Sequence, residues 1–445
     1  MLKIKQKRLK VELSRKDAEK LNDDLLSKYS LLIHEMKKHY LEKLKVSLER
    51  PEVFIKEKLT GKDTALLCGD LIYTEPGLIL YYKVPSSGGY IEIGSIGVGD
   101  TGSFDELARF IKNSIFDSLD EPDEKWEPLR KPDASFNMLL DNARTIKPTP
   151  EEVSAAQLLA DEQINKIMKT IKNEDSMFIE KLKQSGSFEN NDEIIENLVE
   201  QGLISTDFAL LCSQTGQQIL KVHDKSALDD ISKKGFKCFI CGNSITDEKL
   251  TRSVSCSNFG RKMLEDNYWL PILVINALGE IGFEPDEPLV VRGESPDTSI
   301  FLNINNEVLM FYLSNRKMSL DDAHYISANI AAYKLNQVIL ITTNPLSLLM
   351  KSHLAKVNPE CKLFFISGLD MLKEEIQNIL EQDQKTLLLD IMKSISMLTP
   401  VPIEEIVLKK VIPEGEAKHT TGFDDVLFSE ITPDETISGK STGKE

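Results

Sequence analysis

The order of predicted elements in residues 262–370 restricts the fold more than any other feature of the sequence. Apolar residues there switch between helical and strand periods, which predicts helix, strand, strand, helix, strand, helix, strand. One strand, VILITT at 338–343, is apolar until its last two residues, as is typical of a central strand covered on both faces. The order predicts an α/β core in which helices pack against a sheet.

Two local signals define this region further. The strands TSIFLNI and EVLMFYL meet at the two-residue turn Asn305-Asn306. The helix SLDDAHYISANIAAYKL begins with Ser319 as its N-cap, and Asp321 and Asp322 lie in its first turn. These signals predict a hairpin followed by a well-capped helix.

The order and the residues of 262–370 resemble the restriction-endonuclease-like, or PD-(D/E)xK, nuclease fold. In that family an aspartate on the first hairpin strand and a Glu-x-Lys on the second hold Mg²⁺ and activate water for phosphodiester cleavage. The second strand here reads VLMFYLS at 308–314, so Tyr312 occupies the position of the acid and Ser314 that of the lysine. Asp297 is the one surviving candidate ligand.

This departure from the family pattern bears directly on catalysis. Mg²⁺ needs charged oxygen ligands, and serine cannot replace the ammonium group that stabilises developing charge. We therefore expect a pseudo-nuclease without catalytic residues; the alternative is a divergent Mg²⁺-dependent nuclease that uses Asp297 with Glu294 or Glu307. The charges expected around the cleft balance, four basic against four acidic residues: Arg292, Arg316, Lys317 and Lys334 against Glu294, Asp297, Asp321 and Asp322.

Four of the six cysteines lie between residues 212 and 256. The knuckle CFICG at 238–242 has the spacing that lets one turn present two thiolates to a tetrahedral metal. Upstream, CSQTG at 212–216 has the same outline with threonine in place of the second cysteine. The pair resembles a zinc ribbon that has lost one thiolate.

Several arrangements could supply the missing ligand. His223 would complete a Cys3His zinc site with Cys212, Cys238 and Cys241; Cys256 or water could serve instead, or the ribbon could keep its shape without metal. Zinc here is expected to be structural, because no carboxylate or second histidine is evident nearby in sequence as a general base.

The region before the knuckle predicts a further module. Helical patterns over about 151–171, 175–184 and 191–201 precede a strand, turn and strand at 202–222, which is the order of a winged-helix module. The helix that would enter a DNA groove, NDEIIENLVEQ, is acidic and poorly suited to face phosphate. Protein contact is therefore the preferred interpretation, with a DNA-binding regulator as the alternative.

Charge is distributed unevenly along the chain. The net charge is −17, but residues 1–60 carry +6 and the remainder −23, so contact with phosphate is most plausible at the N-terminal segment. Residues 1–60 are predicted to be helical, and TALLCGDLIY, GLILYYKV and GYIEIGSIGV, separated by turn signals, predict a small antiparallel sheet.

Together these patterns predict a multidomain α+β protein. The predicted parts are an N-terminal α+β domain (1–118), a linker (119–150), a winged-helix-like module with zinc-ribbon-like hairpins (151–261), a restriction-endonuclease-like domain with C-terminal helices (262–412) and a disordered acidic tail (413–445).

The expected function follows from the resemblance alone. Domains of these types occur together in prokaryotic mobile-element and antiviral defence systems, so we expect a non-catalytic accessory or regulatory subunit. Its expected partner is a protein, with nucleic acid as an alternative. No apolar run approaches the roughly 18 residues of a membrane span, and no secretory signal is evident, so we expect a cytoplasmic protein without membrane contact.

Overall fold

The chain forms two compact units in a computed structural model. Unit 1 comprises residues 1–132, 305–307 and 377–445, and unit 2 comprises 133–304 and 308–376. The predicted domain over 262–412 therefore divides between the two units. The structure describes residues 3–47, 66–75, 77–97, 102–116, 126–129, 136, 139, 143–174, 176–184, 191–284, 286–292, 297–305, 307–396, 398, 403 and 407.

Unit 1 is built on a five-stranded antiparallel sheet. Its strand order is β2-β3-β4-β1-β5. The strands are β1 (Lys3–Lys10), β2 (Leu66–Glu75), β3 (Leu78–Pro85), β4 (Tyr90–Gly97) and β5 (Glu127–Pro128). The helices are α1 (Arg15–Lys28), α2 (Leu32–Ser47), α3 (Gly102–Ile115) and, from residue 377 onward, the C-terminal helix (Leu372–Ser396).

The strands of unit 1 bury side chains on both faces of the sheet. In β3, Ile79 and Tyr81 belong to one apolar cluster, while Leu80 and Tyr82 belong to another, because successive side chains of a strand point to opposite faces. Helix α2 and the C-terminal helix contribute to the first cluster, and α1 and α3 contribute to the second. The sheet therefore lies between two layers of helix.

The predicted three-stranded sheet is present, but the expectation of helix throughout residues 1–60 is wrong for its first part. Residues Lys3–Lys10 form a strand that pairs with β4 on one side and β5 on the other. The segment KIKQKRLK buries Ile4, Gln6 and Leu9, so its register is set by partners more than 80 residues away rather than by local propensity. Residues 48–65 lie outside the described part of the chain.

Unit 2 contains a four-stranded and a five-stranded sheet. The small sheet has the order β6-β9-β7-β8, and the large sheet has the order β10-β11-β12-β13-β14. The strands are β6 (Met177–Phe178), β7 (Ile204–Leu211), β8 (Gln218–Val222), β9 (Lys249–Cys256), β10 (Leu289–Arg292), β11 (Thr298–Ile304), β12 (Glu307–Ser314), β13 (Gln337–Thr342) and β14 (Lys362–Ser367). The helices are α4 (Pro150–Ala160), α5 (Glu162–Asn173), α6 (Ile179–Gln184), α7 (Asn191–Glu200), α8 (Lys225–Lys233), α9 (Asn258–Leu264), α10 (Trp269–Ile281), α11 (Leu320–Tyr333) and α12 (Leu348–Val357).

The large sheet is mixed. Strand β10 is antiparallel to β11, whereas β12, β13 and β14 are parallel to one another. Every residue of β13 is buried, as its sequence predicted, and Ser319 caps α11 in a capping box with Asp322. The α+β class expected from the sequence is confirmed, and within the described residues no helix is both long and apolar enough to cross a bilayer.

One predicted helix is broken in the structure. The segment that begins at Phe259, which predicts the first helix of the 262–370 region, forms two helices, α9 and α10. A 3-10 turn at Glu265–Asn267 separates them. Asp266 and Asn267 adopt left-handed backbone angles, with φ of 48° and 54°, which short polar residues tolerate better than most. The predicted acidic tail at 413–445 lies outside the described residues.

Candidate functional site

Two turns of unit 2 with the same backbone design position the cysteines. In each, the cysteine N–H donates to a carbonyl five residues later, and the N–H of a glycine four residues later donates back to the cysteine carbonyl. The first turn joins Cys212 to Gln217 (2.8 Å) and Gly216 (2.7 Å). The second joins Cys238 to Asn243 and Gly242, both at 2.8 Å.

The glycines of these turns are required by backbone geometry. Gly216 and Gly242 have φ of 72° and 81°, in the left-handed region where a Cβ is unfavourable. The turns aim the Cys212 and Cys238 side chains inward, and these residues are 1% and 2% exposed. The likeness between CSQTG and CFICG in the sequence therefore reflects a shared turn.

Glu248 completes a cluster with the three cysteines. It directly follows the 3-10 turn Ile245–Asp247 and is buried. One of its carboxylate oxygens and the sulfurs of Cys212, Cys238 and Cys241 all lie within 4.8 Å of one another. Ligand atoms around a tetrahedral zinc with bonds of about 2.3 Å are roughly 3.8 Å apart, so a small contraction would bring this set to bonding distance. The four residues can hold a metal ion.

Hydrogen bonds set the protonation of the cluster. The Thr215 hydroxyl lowers the pKa of Cys212 to about 7, while the bond to Glu248 raises the pKa of Cys241 to about 12. The Cys241 Sγ donates to Glu248 Oε1 at 2.8 Å, and the Ser213 N–H donates to the other carboxylate oxygen. A cation that enters would displace the shared proton, because thiolates and carboxylates bind metal in their deprotonated forms.

His223, predicted as the fourth ligand, lies elsewhere. Its Nδ1 is 2.6 Å from Asp207 Oδ1, and its side chain is 95% exposed at the end of β8. Cys256, the other candidate, lies at the end of β9, where burial raises the pKa of its thiol. Of the predicted set, the structure brings together Cys212, Cys238 and Cys241, and the fourth residue is Glu248.

The omission of Glu248 from the sequence prediction has an identifiable cause. Glu248 lies seven residues after Cys241, in a segment without a recognisable zinc-ligand spacing. Ser244 and Asp247 form the turn that directs it back towards the cysteines, through the Asp247 N–H to Ser244 carbonyl bond of 3.0 Å. The sequence interpretation therefore overlooked a carboxylate that lies beside the cysteines.

A second cluster lies at the large sheet of unit 2 and centres on Asp297. This residue directly precedes β11, and its side chain is 1% exposed. The Tyr312 hydroxyl donates to Asp297 Oδ2 at 2.9 Å, and Arg316 Nη2 donates to the same oxygen at 2.6 Å. Burial, together with the adjacent Asp297 charge, raises the pKa of the Tyr312 phenol, so it remains a neutral donor.

Arg316 also joins this cluster to the start of α11. Its Nη1 donates to Asp322 Oδ2 at 3.0 Å, and its Nη2 makes a further contact with Asp322 Oδ1. The Ser319 N–H and hydroxyl also donate to Asp322, at 2.6 and 3.0 Å. The hydrogen bond with Asp322 raises the pKa of Arg316, so the guanidinium is a permanent cation between two carboxylates.

The other described residues of the predicted nuclease site, Ser314 and Glu307, add no charged ligand to this cluster. Ser314 is fully buried, and its hydroxyl has no hydrogen-bond partner within the described residues. Glu307 begins β12 five residues before Tyr312, about 16 Å along the strand at the usual rise per residue, so the two side chains cannot share an ion. Glu294 lies outside the described residues.

Comparison with known proteins gives little further information. No family model matches the chain, and no curated protein matches it. A crystal structure of protein VC1899 from Vibrio cholerae aligns over 59% of this chain with 14% sequence identity and a TM-score of 0.34. The alignment spans 64% of the Vibrio chain, less than two thirds of its length. This similarity is too low to support an argument about fold or function.

Proposed function

We propose that this chain is a non-catalytic accessory or regulatory protein that works by binding. The observation that carries the proposal is the position of Arg316, which donates to both Asp297 and Asp322. A guanidinium there already neutralises the carboxylates that Mg²⁺ would need, and Tyr312 adds a neutral donor instead of a third acid. The two carboxylates that could bind a metal cation are thus already bound to the Arg316 side chain.

The arrangement of the large sheet supports a nuclease-like framework for this closed site. Strands β10 to β12 are consecutive neighbours in the sheet, α11 follows, and β13 and β14 continue the sheet in parallel. Apart from the additional edge strand β10, the order of elements along the chain is the one expected from the resemblance to the restriction-endonuclease-like fold. Membership of a prokaryotic defence or mobile-element system is proposed from that resemblance alone.

A cleavage assay tests the absence of catalysis. Purified protein is incubated with plasmid, single-stranded DNA and RNA in Mg²⁺ or Mn²⁺, beside the Asp297→Ala variant. We expect wild type and variant to leave all three substrates intact. Cleavage by the wild type that is lost in Asp297→Ala would establish a divergent nuclease instead.

We further propose that Cys212, Cys238, Cys241 and Glu248 hold a structural zinc ion. Three sulfurs and one oxygen are a donor set that suits zinc better than Mg²⁺ or Ca²⁺, which prefer all-oxygen shells. Four protein ligands leave no open position for a substrate, which is why the role is structural. The ion would fasten the turn after β7 to the knuckle and to the strand β9.

Metal analysis with matched variants tests this assignment. We expect about one equivalent of zinc in protein purified without chelator, at least tenfold weaker binding in Glu248→Gln, and unchanged binding in His223→Ala. The two variants together distinguish the ligand set with Glu248 from the Cys3His set that the sequence suggested. Less than about half an equivalent in the wild type, or loss of zinc in His223→Ala alone, would overturn it.

A protein is the partner that the surface of unit 2 favours. Glu193, Glu196 and Glu200 are exposed along α7, the helix that would have to face DNA in a winged-helix module. Phe236 and Phe239 flank the buried Cys238 and are 55% and 77% exposed. An acidic helix repels phosphate, whereas exposed aromatic side chains are common in protein interfaces.

Partner capture with surface variants tests this proposal. A pull-down with wild type should recover a protein that Phe239→Ser fails to retain, and a Lys249→Ala variant should retain it. Salt-sensitive binding of duplex DNA that survives Phe239→Ser would favour the DNA-binding alternative.

A further inference from the structure

Unit 2 contains a polar cavity that neither cluster uses. Its volume is about 470 Å³, and it lies at the carboxyl ends of the parallel strands β12, β13 and β14. Asn315 directly follows β12, Thr343 directly follows β13, and Gly368 directly follows β14; all three line the cavity. The crevice outside the carboxyl ends of parallel strands is a common ligand position in α/β sheets, most often where the strand order reverses, which it does not do here.

Helix α5 forms the facing wall, and an asparagine network joins it to the strand ends. Asn315 Nδ2 donates to Asn267 Oδ1 at 3.1 Å and lies 3.5 Å from Asn165 Oδ1 on α5. The Thr343 hydroxyl donates to Asn315 Oδ1 at 2.8 Å. These bonds fix the amides before any ligand enters, which reduces the ordering cost of binding.

Trp269 indicates that the cavity has an unused donor. The residue lines the cavity and is 1% exposed, and its indole Nε1 has no hydrogen-bond partner within the described residues. A buried N–H without an acceptor is unfavourable, and buried polar groups in folded proteins are nearly always satisfied. Because the Nε1 atom has almost no accessible surface, an oxygen or ring nitrogen of a bound molecule would reach it after a small shift of the cavity wall.

Two lysines supply positive charge to the cavity, beside the acidic side chains of Asp161, Glu162 and Asp370. Lys166 and Lys169 lie one turn apart on α5, both line the cavity, and neither makes an ion pair within the described residues. Partial burial lowers the pKa of Lys169, a cost that a bound anion would offset. The nearby Asp161 carboxylate is already used, because it accepts from the Gln163 and Ile164 N–H groups at the start of α5.

We propose that this cavity binds a phosphate monoester of a sugar, either a nucleotide or a sugar phosphate. Lys166 and Lys169 would hold the phosphate, while the amides, the Trp269 N–H and the acidic side chains of Glu162 and Asp370 would hold the hydroxylated remainder. A cavity of this volume is in the usual range for small-molecule sites. The site is separate from the Arg316 cluster, so it does not depend on whether the chain is a nuclease.

Titration of the full chain with defined probes tests this assignment. The probes are AMP, glucose 6-phosphate, inorganic phosphate and adenosine, and binding is followed by calorimetry and by Trp269 fluorescence in a Trp126→Phe background. We expect one of the two esters to bind below about 1 mM and to change the Trp269 emission. Adenosine and inorganic phosphate should bind at least tenfold more weakly than that ester.

Lysine variants on one helix supply the matched control. Lys166→Ala and Lys169→Ala should each weaken the ester at least tenfold, whereas Lys172→Ala, on the same helix but outside the cavity lining, should leave it unchanged. All three changes remove a side chain that is at least partly exposed, so the fold should be preserved. Failure of both esters to bind, equal binding of inorganic phosphate, or an equal effect of Lys172→Ala would each overturn the assignment.

Discussion

Removal of the Arg316 guanidinium should destabilise unit 2. Arg316→Ala deletes the hydrogen bonds to Asp297 and Asp322 and leaves both carboxylates in place. The side chains of these acids are only 1% and 10% exposed, so water cannot fully replace the lost donor. Tyr312 retains its bond to Asp297 but carries no charge.

The magnitude follows from the burial of the three side chains. Removing one partner of a fully buried ion pair costs about 3–5 kcal/mol. The Arg316 side chain is 37% exposed, so part of this interaction is already screened by solvent, and we expect a loss of about 2–3 kcal/mol. For a unit of this size, that loss corresponds to a fall in melting temperature of roughly 4–12 °C.

Thermal unfolding followed by calorimetry measures the effect, and two further variants serve as controls. Asp321→Asn changes the exposed acid next to Asp322 and should alter stability by less than about 0.5 kcal/mol. In the Asp297→Asn background, Arg316→Ala should cost clearly less, because a neutral amide does not need the guanidinium. If Arg316→Ala unfolds within about 0.5 kcal/mol of wild type, or if the two changes are additive, the proposed coupling is wrong.

Three other expectations concern pH, packing and metal. Burial raises the pKa of Asp70 to about 7, above its value in the unfolded chain. The stability that the protonated Asp70 contributes is therefore complete below about pH 4 and is lost as the pH rises through about 7. The Asp70→Asn variant should remove this dependence of the melting temperature on pH. A Cβ added at Gly94 would lie 2.1 Å from a ring carbon of the buried Tyr81. Gly94→Ala should therefore lower the free energy of unfolding by about 2–4 kcal/mol, measured by denaturant unfolding. The control Gly89→Ala, whose Cβ would meet no atom within 4 Å, should leave it nearly unchanged. A strong chelator should lower the stability of unit 2 by about 3 kcal/mol if zinc is held at 100 times its dissociation constant, and the same chelator should leave the stability of Cys238→Ser unchanged.

Sequence patterns predicted the elements that depend on local chemistry. The apolar strand β13, the hairpin turn at Asn305 and the capping box of Ser319 were all readable from neighbouring residues. The two turns of the cysteine segments were predictable for the same reason, because each needs a left-handed φ four residues after its cysteine and therefore has a glycine there.

Features that depend on distant partners could not be read in this way. Strand β1 looked helical because its pairing with β4 and β5 has no local signal. Glu248 reaches the cysteines only after the chain reverses through a 3-10 turn. Arg316 was identified as a charge near the cleft, but its bonds to Asp297 and Asp322 depend on how β11, β12 and α11 meet in three dimensions.

The Tyr312 and Arg316 pair also constrains how such a site could evolve. A Tyr312→Glu substitution alone would add a third acid while the Arg316 guanidinium still binds the other two carboxylates. Loss of Arg316 alone would leave two buried carboxylates without their shared cation, and a lysine introduced at the fully buried Ser314 would bury a charge where the present serine has none. The Arg316 bridge therefore couples these positions, so a metal site here would require several substitutions together.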